Sequence, residues 1–362
     1  MDAGLQFAKS GLATVFDLGA SSGNYDALVL SSNSRSLNRD AARSATRTML
    51  PRITEVSDYI YKKIDSTLRG NIGPELEVLL DATKHSSIVV APAYPAQGRS
   101  TVGGTQYRSG VAISKTEAAN DPISPVTEDH IPTLVHKTSH LHARHIGLRF
   151  VRSSAEVLAD NIGQLSAEGA EIIVIDAEKD SDLATIAMAM KLSGMDRLSA
   201  GSAGLAEHLV HGGSTEVATI PTPSAACNLV LAGSFSEVTR RQVHFAATHL
   251  NAAVYSPSNS ELENPDAAIR HARQNLATGR TWIGFAGHQG KPLSSGKLVT
   301  ALQHWLGTVC STLEEGIERL GLVVTGGETG SICLEQMNVG AIEIVSEVQS
   351  GIAGGIVSGG RF

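Results

Sequence analysis

IVVAPAYPAQGRSTVGG, residues 88–104, joins four apolar residues directly to a run of small and polar ones. The apolar part has no polar alternation. Both of its faces must therefore be covered, as in a parallel strand packed between helices. Six other short runs have a similar length and composition: residues 27–30 (ALVL), 172–175 (IIVI), 229–232 (LVLA), 282–285 (WIGF), 322–325 (LVVT) and 342–345 (IEIV). Stretches with helical spacing lie between them, among them 154–167, 236–250, 265–278 and 296–320. Strands and helices in alternation specify an α/β fold.

A chain of 362 residues is too long for one ordinary core, so two domains are expected. Residues 211–227, HGGSTEVATIPTPSAAC, lose all apolar periodicity and read as a linker. This sets a first domain over 1–210 and a second over 228–362. Each is expected to be built on a mostly parallel sheet with flanking helices. A formal net charge of −7 argues against a nucleic-acid partner, which needs clustered Lys and Arg. No apolar run approaches the ~20 residues of a membrane span. Cys227, Cys310 and Cys333 fit no paired or CxxC framework, and the N-terminus lacks a secretory pattern. A reducing cytoplasm is the expected setting.

Ligands of open parallel sheets bind beyond the carboxyl ends of the strands. Four of the strands run straight into polar turns: SSNSRS (31–36), the 92–104 stretch, GSFSEVTRRQ (233–242) and GGETGS (326–331). GGETGS has the makings of a phosphate loop. Paired glycines let backbone N–H groups approach an anion, and a helix can start at Thr329. The same glycines would serve a plain strand-to-helix turn. In GSFSEVT, Ser234 and Ser236 precede a helix, and capping accounts for one of them. The nearest approach to a Walker loop, GFAGHQGKP (284–292), has the wrong spacing, and no GxGxxG follows a strand. His136, His140, His142 and His145 match no tetrahedral metal spacing, and a solvated helix or loop is the preferred reading.

KKIDSTLRGN (62–71) stands between a helical pattern that includes Val56, Tyr59 and Ile60 and a new one at Gly73-Pro74. It offers Lys63, Asp65, Ser66, Thr67 and Arg69, with SSNSRS adding Arg35. Arginine grips carboxylates in a planar fork, and Asp with hydroxyls suits a polyol. Two readings stand at this point. One is a pocket for a small polyhydroxy acid. The other is a surface ion pair between Asp65 and Arg69, four residues apart. A dehydrogenase or isomerase with a dinucleotide half is a rival class, but it lacks its glycine fingerprint.

The segments YKKIDSTLRGNIGPEL, APAYPAQGRSTVGGTQY, NDPISPV, GSAGLAEHL, LAGSFSEVTRRQV and VVTGGETGSI closely resemble the four-carbon acid sugar kinases, in that family's order. The resemblance implies an N-terminal substrate domain and a C-terminal nucleotide domain. It implies transfer of phosphate from ATP, with Mg²⁺, to the terminal hydroxyl of D-threonate, D-erythronate or 3-oxotetronate. Arg35, Lys63, Asp65, Ser66, Thr67 and Arg69 would line the acid site, with Asp65 and Arg69 catalytic. Ser234, Ser236, Gly326, Gly327, Glu328 and Thr329 would hold ATP. No protein-built metal site is implied. The expected partners are the two small molecules, with a homo-oligomer possible and neither nucleic acid nor membrane. The family's opening strand with its Asp-Asp-x-Thr-Gly motif, and its closing Lys-x-Gly-Gly-Phe-Gly element, have no match here. Both ends are therefore expected to be clipped and turnover to be weak. The alternative is a truncated, non-catalytic sugar-acid-binding remnant.

Overall fold

The computed structural model describes residues 1–19, 24–121, 124–210, 227–233, 237–258, 261–262, 264–285, 301, 304–309, 312, 320–349 and 352–358. The linker expected over 211–227 lies outside them except for Cys227, as does most of the helix expected over 296–320. Two compact units form. One gathers Met1–Asp17, Ser22–Ala218 and Glu343–Ile356; the other gathers Leu18–Ser21, Thr219–Ile342 and Val357–Phe362. Residues 343–356 thus pack with the first unit, although the sequence reading groups them with the second domain.

The first unit is organised by five parallel strands in the order Ile60–Lys63, Leu198–Gly201, Ile88–Ala91, Ile172–Ile175, Ala143–Ile146. The middle three are buried along their whole length. The pleat sends alternate residues to opposite faces, so Ile88–Ala91 and Ile172–Ile175, covered on both, are apolar at every position. Ile88, Val90, Ile172 and Val174 point to one face, against Leu76 and Leu79 of the Ile72–Ala82 helix and Ile131 and Val135 of the Ile131–Thr138 helix. Val89, Ala91, Ile173 and Ile175 point to the other, against Leu158 and Ile162 of Ala155–Ala167 and Leu183 and Ile186 of Asp180–Ser193. Burying one such side chain is worth about 1.5–3 kcal/mol.

Two smaller sheets flank this core. Thr14–Asp17 and Ala27–Val29 pair in parallel and share a sheet with Ala341–Gln349 and Ile352–Ser358. Arg99–Val102, Thr105–Arg108 and Val111–Ala112 form an antiparallel ribbon. One expectation is corrected. Ile60 does not continue a helical pattern from Val56. The Arg39–Val56 helix ends at Ser57, in extended backbone, and Ile60–Lys63 becomes a strand. Its backbone groups find partners along Leu198–Gly201, which a helix there would leave unpaired.

The second unit has four parallel strands in the order Ala253–Tyr255, Trp282–Phe285, Cys227–Ala232, Leu320–Thr325. Glu237–His249, Asp266–Leu276 and Gly327–Gln336 are helices of this unit, and residues 304–309 are helical as well. Trp282 is fully buried and its indole N–H donates to Nδ1 of His271 at 2.9 Å. Among the described residues no helix is long and apolar enough to cross a membrane.

Candidate functional site

In the first unit, residues 62–71 leave the carboxyl end of the Ile60–Lys63 strand. The Ile64 amide donates to the carbonyl of Gly201 at 2.8 Å, so the ladder runs one step further before the chain turns. The Leu68 amide then donates back to the carbonyl of Asp65 at 2.8 Å. Leu68 takes φ +60°, unusual for a branched side chain, and is 2% exposed. Burial offsets the cost of that conformation. Gly70, at φ +98°, completes the turn into the Ile72–Ala82 helix.

Polar groups fix this turn to its surroundings. The Asn71 side-chain amide donates to the carbonyls of Ser34 and Leu37, both at 2.9 Å, holding the 31–37 loop. The carbonyl of Ser66, a half-buried residue, accepts from Nε2 of Gln106 at 2.8 Å, which ties the turn to the ribbon. The Gly70 amide donates to Ser124 Oγ at 2.8 Å.

The charges of KKIDSTLRGN divide into two sets. Lys62 and the Ser34 hydroxyl both engage the buried Glu75 carboxylate. Lys63 pairs with Asp2 at 3.1 Å. Asp65 uses both oxygens: Oδ1 accepts from the Thr67 amide and hydroxyl, each at 3.0 Å, and Oδ2 accepts from Arg69 Nε at 2.7 Å. Arg35 approaches the same Oδ2 to 3.8 Å. Arg69 also reaches Asp121 Oδ2 at 3.1 Å. Burial raises the Asp65 carboxyl, but Arg69, the Thr67 amide, Arg35 and Lys63 more than offset it and hold Asp65 below its ordinary value. Burial likewise lowers Arg69, and Asp65 and Asp121 carry it above its ordinary value. The surface-pair reading of Asp65 and Arg69 therefore fails: their side chains are 13% and 31% exposed, and they belong to a network.

Of the six first-unit residues singled out from the sequence, Arg35 lies on one turn, Asp65, Ser66, Thr67 and Arg69 lie on the next, tied to it by Asn71, and Lys63 ends the strand that leads into the second. Two others were missed. Asp121 sits in NDPISPV as a plain loop acid. Arg99 opens the ribbon, and its Nε is buried with no hydrogen-bond partner among the described residues. Its only sequence signal is its place in the turn after the 88–91 strand.

The histidines have structural roles. His136 Nε2 accepts from the Ala143 amide at 3.0 Å, His140 pairs with Glu77, and His142 stacks on His136. His145 Nε2 lies 2.8 Å from Asp176 Oδ1. The Asp176 carboxylate also accepts from the amides of Gly103 and Gly104, at 2.7 and 2.9 Å, pinning the ribbon's tight turn. Among the described residues no group of three or more His, Cys, Asp or Glu is arranged to hold a metal ion.

The second unit builds with backbone instead. Ala232 and Thr325 stand in register on adjacent parallel strands, so the turns after both leave the sheet side by side. Gly326 takes φ +103°, a region suited to glycine, and the Gly327–Gln336 helix starts at once. The amides of its first turn have no intrahelical acceptor, and the positive end of the helix dipole lies there. Thr329 is 5% exposed and seats its Oγ1 where a Cβ on Gly233 would be. The Gly233 amide donates to the carbonyl of Thr325 at 3.3 Å. Of the residues expected to hold ATP, Gly326 and Thr329 are brought to this edge. Ser234 and Ser236 lie outside the described residues, as does the side chain of Glu328, while Gly327 opens the helix.

Two family models match the chain: a sugar-binding N-terminal domain over residues 1–209 and a nucleotide-binding C-terminal domain over residues 229–359. The chain belongs to the four-carbon acid sugar kinase family. Among curated relatives, a D-threonate kinase of Salmonella typhimurium is 32% identical, with 96% of this chain and 86% of that protein covered. A 3-oxo-tetronate kinase of Methylobacterium radiotolerans is 27% identical, with 95% and 86% covered. A solved structure of a Haemophilus influenzae protein shares the fold with a TM-score of 0.73, at 22% identity, covering 97% of this chain and 89% of that one. Matches this broad argue against a degenerate remnant of the family.

Proposed function

We propose that the protein is an ATP-dependent kinase that phosphorylates the terminal hydroxyl of a four-carbon sugar acid of the D-threonate, D-erythronate or 3-oxotetronate type. The observation that carries this reading is the interlocked Arg35, Asp65, Arg69 and Asp121 cluster at a strand end, in a chain whose full-length relatives are named as kinases of such acids. Cations beside hydroxyl-binding carboxylates suit a ligand that is both acid and polyol. Arg35, Lys63, Asp65, Ser66, Thr67 and Arg69 form the acid site in this reading. Asp65 stays ionised at neutral pH and orients rather than abstracts, which suffices because phosphoryl transfer is mostly alignment and charge stabilisation.

ATP lies on the other unit's edge, at Gly326, Gly327, Glu328 and Thr329, with Ser234 and Ser236 from the adjoining turn. Mg²⁺ fits a site without a protein cage: it keeps its waters and is held by phosphate oxygens with at most one or two carboxylates. When bound, it neutralises phosphate charge. The reaction belongs in the cytoplasm, where ATP is available.

The test is coupled ADP release with a panel of four-carbon sugar acids. One or more should be turned over, and Arg69→Ala should lower kcat/KM by about a hundredfold or more, because it strips Asp65 and Asp121 of their shared cation. A variant retaining full kcat/KM would remove Arg69 from the site. No turnover of any acid by the unaltered protein would overturn the kinase reading.

A further inference from the structure

We infer that Arg99 supplies the guanidinium that grips the substrate's carboxylate, and that Arg69 is a positioning residue; this rests on the kinase reading above. Arg69 already serves two carboxylates of the chain itself. Its Nε lies between Asp65 Oδ2 at 2.7 Å and Thr67 Oγ1 at 3.1 Å, and its NH1 is on Asp121 Oδ2 at 3.1 Å. Two carboxylates already share its charge, and a third would be repelled by both.

Arg99 is in the opposite state. Its Nε is buried without a partner, and its NH1 donates only to the neutral amide oxygen of Gln97, at 3.0 Å. No carboxylate lies within ion-pair distance of it among the described residues. A buried donor left unpaired costs free energy that a bound acceptor recovers. Its neighbour on the ribbon increases the strain. Arg99 stands directly opposite Arg108 in the antiparallel register, an unfavourable placement of like charges. Arg108 is relieved by Glu117, whereas Arg99 is not. Burial and the nearby Arg108 and Arg69 push Arg99 below its ordinary value, with only Asp65 and Tyr94 acting the other way. A ligand carboxylate would resolve this imbalance of charge.

The backbone that carries Arg99 is firmly held. Its backbone exchanges two hydrogen bonds with Tyr94, at 2.8 and 3.0 Å, and the ribbon is fixed to the sheet by Thr101 and Ala177. Gln106, from the strand opposite, is bound to the carbonyl of Ser66. The ribbon is therefore tied to the 62–71 turn, and Asp65 and Arg69 lie within electrostatic reach of Arg99. A planar fork held this way accepts a carboxylate with two parallel bonds.

The experiment compares the unaltered full chain with Arg99→Ala and Arg99→Lys. Calorimetric titration with D-threonate, D-erythronate and 3-oxotetronate is run alongside steady-state kinetics. Arg99→Ala should weaken acid binding and raise its KM on the order of 10- to 100-fold, with a much smaller change in kcat and in the KM for ATP. The preference for the acid over the corresponding four-carbon polyol, which has no carboxylate, should collapse by the same factor. Added guanidinium ion should restore part of the loss. Arg99→Lys, which keeps the charge without the fork, should fall between the two. Melting temperatures of both variants should stay at or above that of the unaltered protein, since an unpartnered donor is removed. Unchanged acid affinity in Arg99→Ala, or equal losses on acid and polyol, would overturn the inference. Binding without turnover in the unaltered chain would sink the kinase reading alone, and absence of binding to every acid would sink both.

Discussion

The turn after Ile60–Lys63 and the turn after Leu320–Thr325 both leave the carboxyl end of a parallel strand and enter a helix, yet they are built from different materials. The first sets side-chain charge against side-chain charge, with Asp65 held by Arg69, Thr67 and Arg35. The second presents main chain: Gly326 in a left-handed conformation, the open amides of a helix start, and Thr329 seated in the space that Gly233 leaves. A side-chain site depends on which groups it carries. A backbone site depends on which groups are kept away from it. The two should therefore fail under different substitutions.

The sharpest way to break this contrast is Asp65→Asn. It leaves Arg35 and Arg69 without their shared carboxylate, so the first unit should lose about 3 kcal/mol in urea unfolding and the enzyme most of its turnover. The pH dependence should follow. Asp65 is depressed in the folded state, so its contribution is present above the ordinary carboxylate value near pH 4 and disappears as pH falls through the lower folded value. Unfolding midpoints followed from pH 7 to pH 3 should show this loss in the unaltered chain and a flatter curve in the variant.

Gly233→Ala is the matching change in the second unit. One methyl group would collide with Thr329 Oγ1, with Thr329 Cβ only 3.2 Å away. Overpacking of this kind costs about 1–3 kcal/mol, read here as a rise in the KM for ATP without change in the KM for the acid. Adding Thr329→Ser should leave the defect, because the hydroxyl remains, whereas adding Thr329→Ala should relieve it. A Gly233→Ala enzyme with normal nucleotide affinity would show that the two turns do not depend on this fit.

The smallest effect is expected away from both turns. The Ser258 hydroxyl, the Tyr255 hydroxyl and the Ser258 amide hold Glu261 at about 2. Its contribution is complete above its ordinary value of 4.5 and is lost as pH falls toward 2. Burial, with Glu261 beside it, pushes Tyr255 up to about 12. Glu261→Gln should lower the melting temperature of the second unit by about 2–4 °C at neutral pH and leave both KM values unchanged.

The strands of the first unit are unequally visible in the sequence. IVVA and IIVI are apolar at every position because helices cover both their faces, and that signal is plain. LSAG, at 198–201, lies between IVVA and the Ile60–Lys63 strand and is equally buried, yet it contains Ser199 and Gly201. Gly201 is there because Ala91 O and Tyr61 Oη come within 2.6 and 2.7 Å of where its Cβ would stand. Close approach, rather than hydrophobicity, dictates that residue, and no periodicity reports it. The acid cluster shows the same limit. Asp65 and Arg69 are four residues apart, and their pairing could be guessed. Asp121 and Arg99 reach them only through a ribbon and a loop whose course depends on Asp176, Gln106 and Ser124, each bonded to a partner 40 to 73 positions away in the chain.

Asn71 gives its side-chain amide to two carbonyls of the 31–37 loop, so the length of that loop is locked to the position of the arginine turn. An inserted or deleted residue between Ser31 and Leu37 would displace one carbonyl or the other and disturb the cluster behind it. Divergence toward a new acid, in nature or in a library, should therefore proceed by exchanging side chains at 33, 35 and 36 on an unchanged backbone, and length variants of this loop should be rare among active clones.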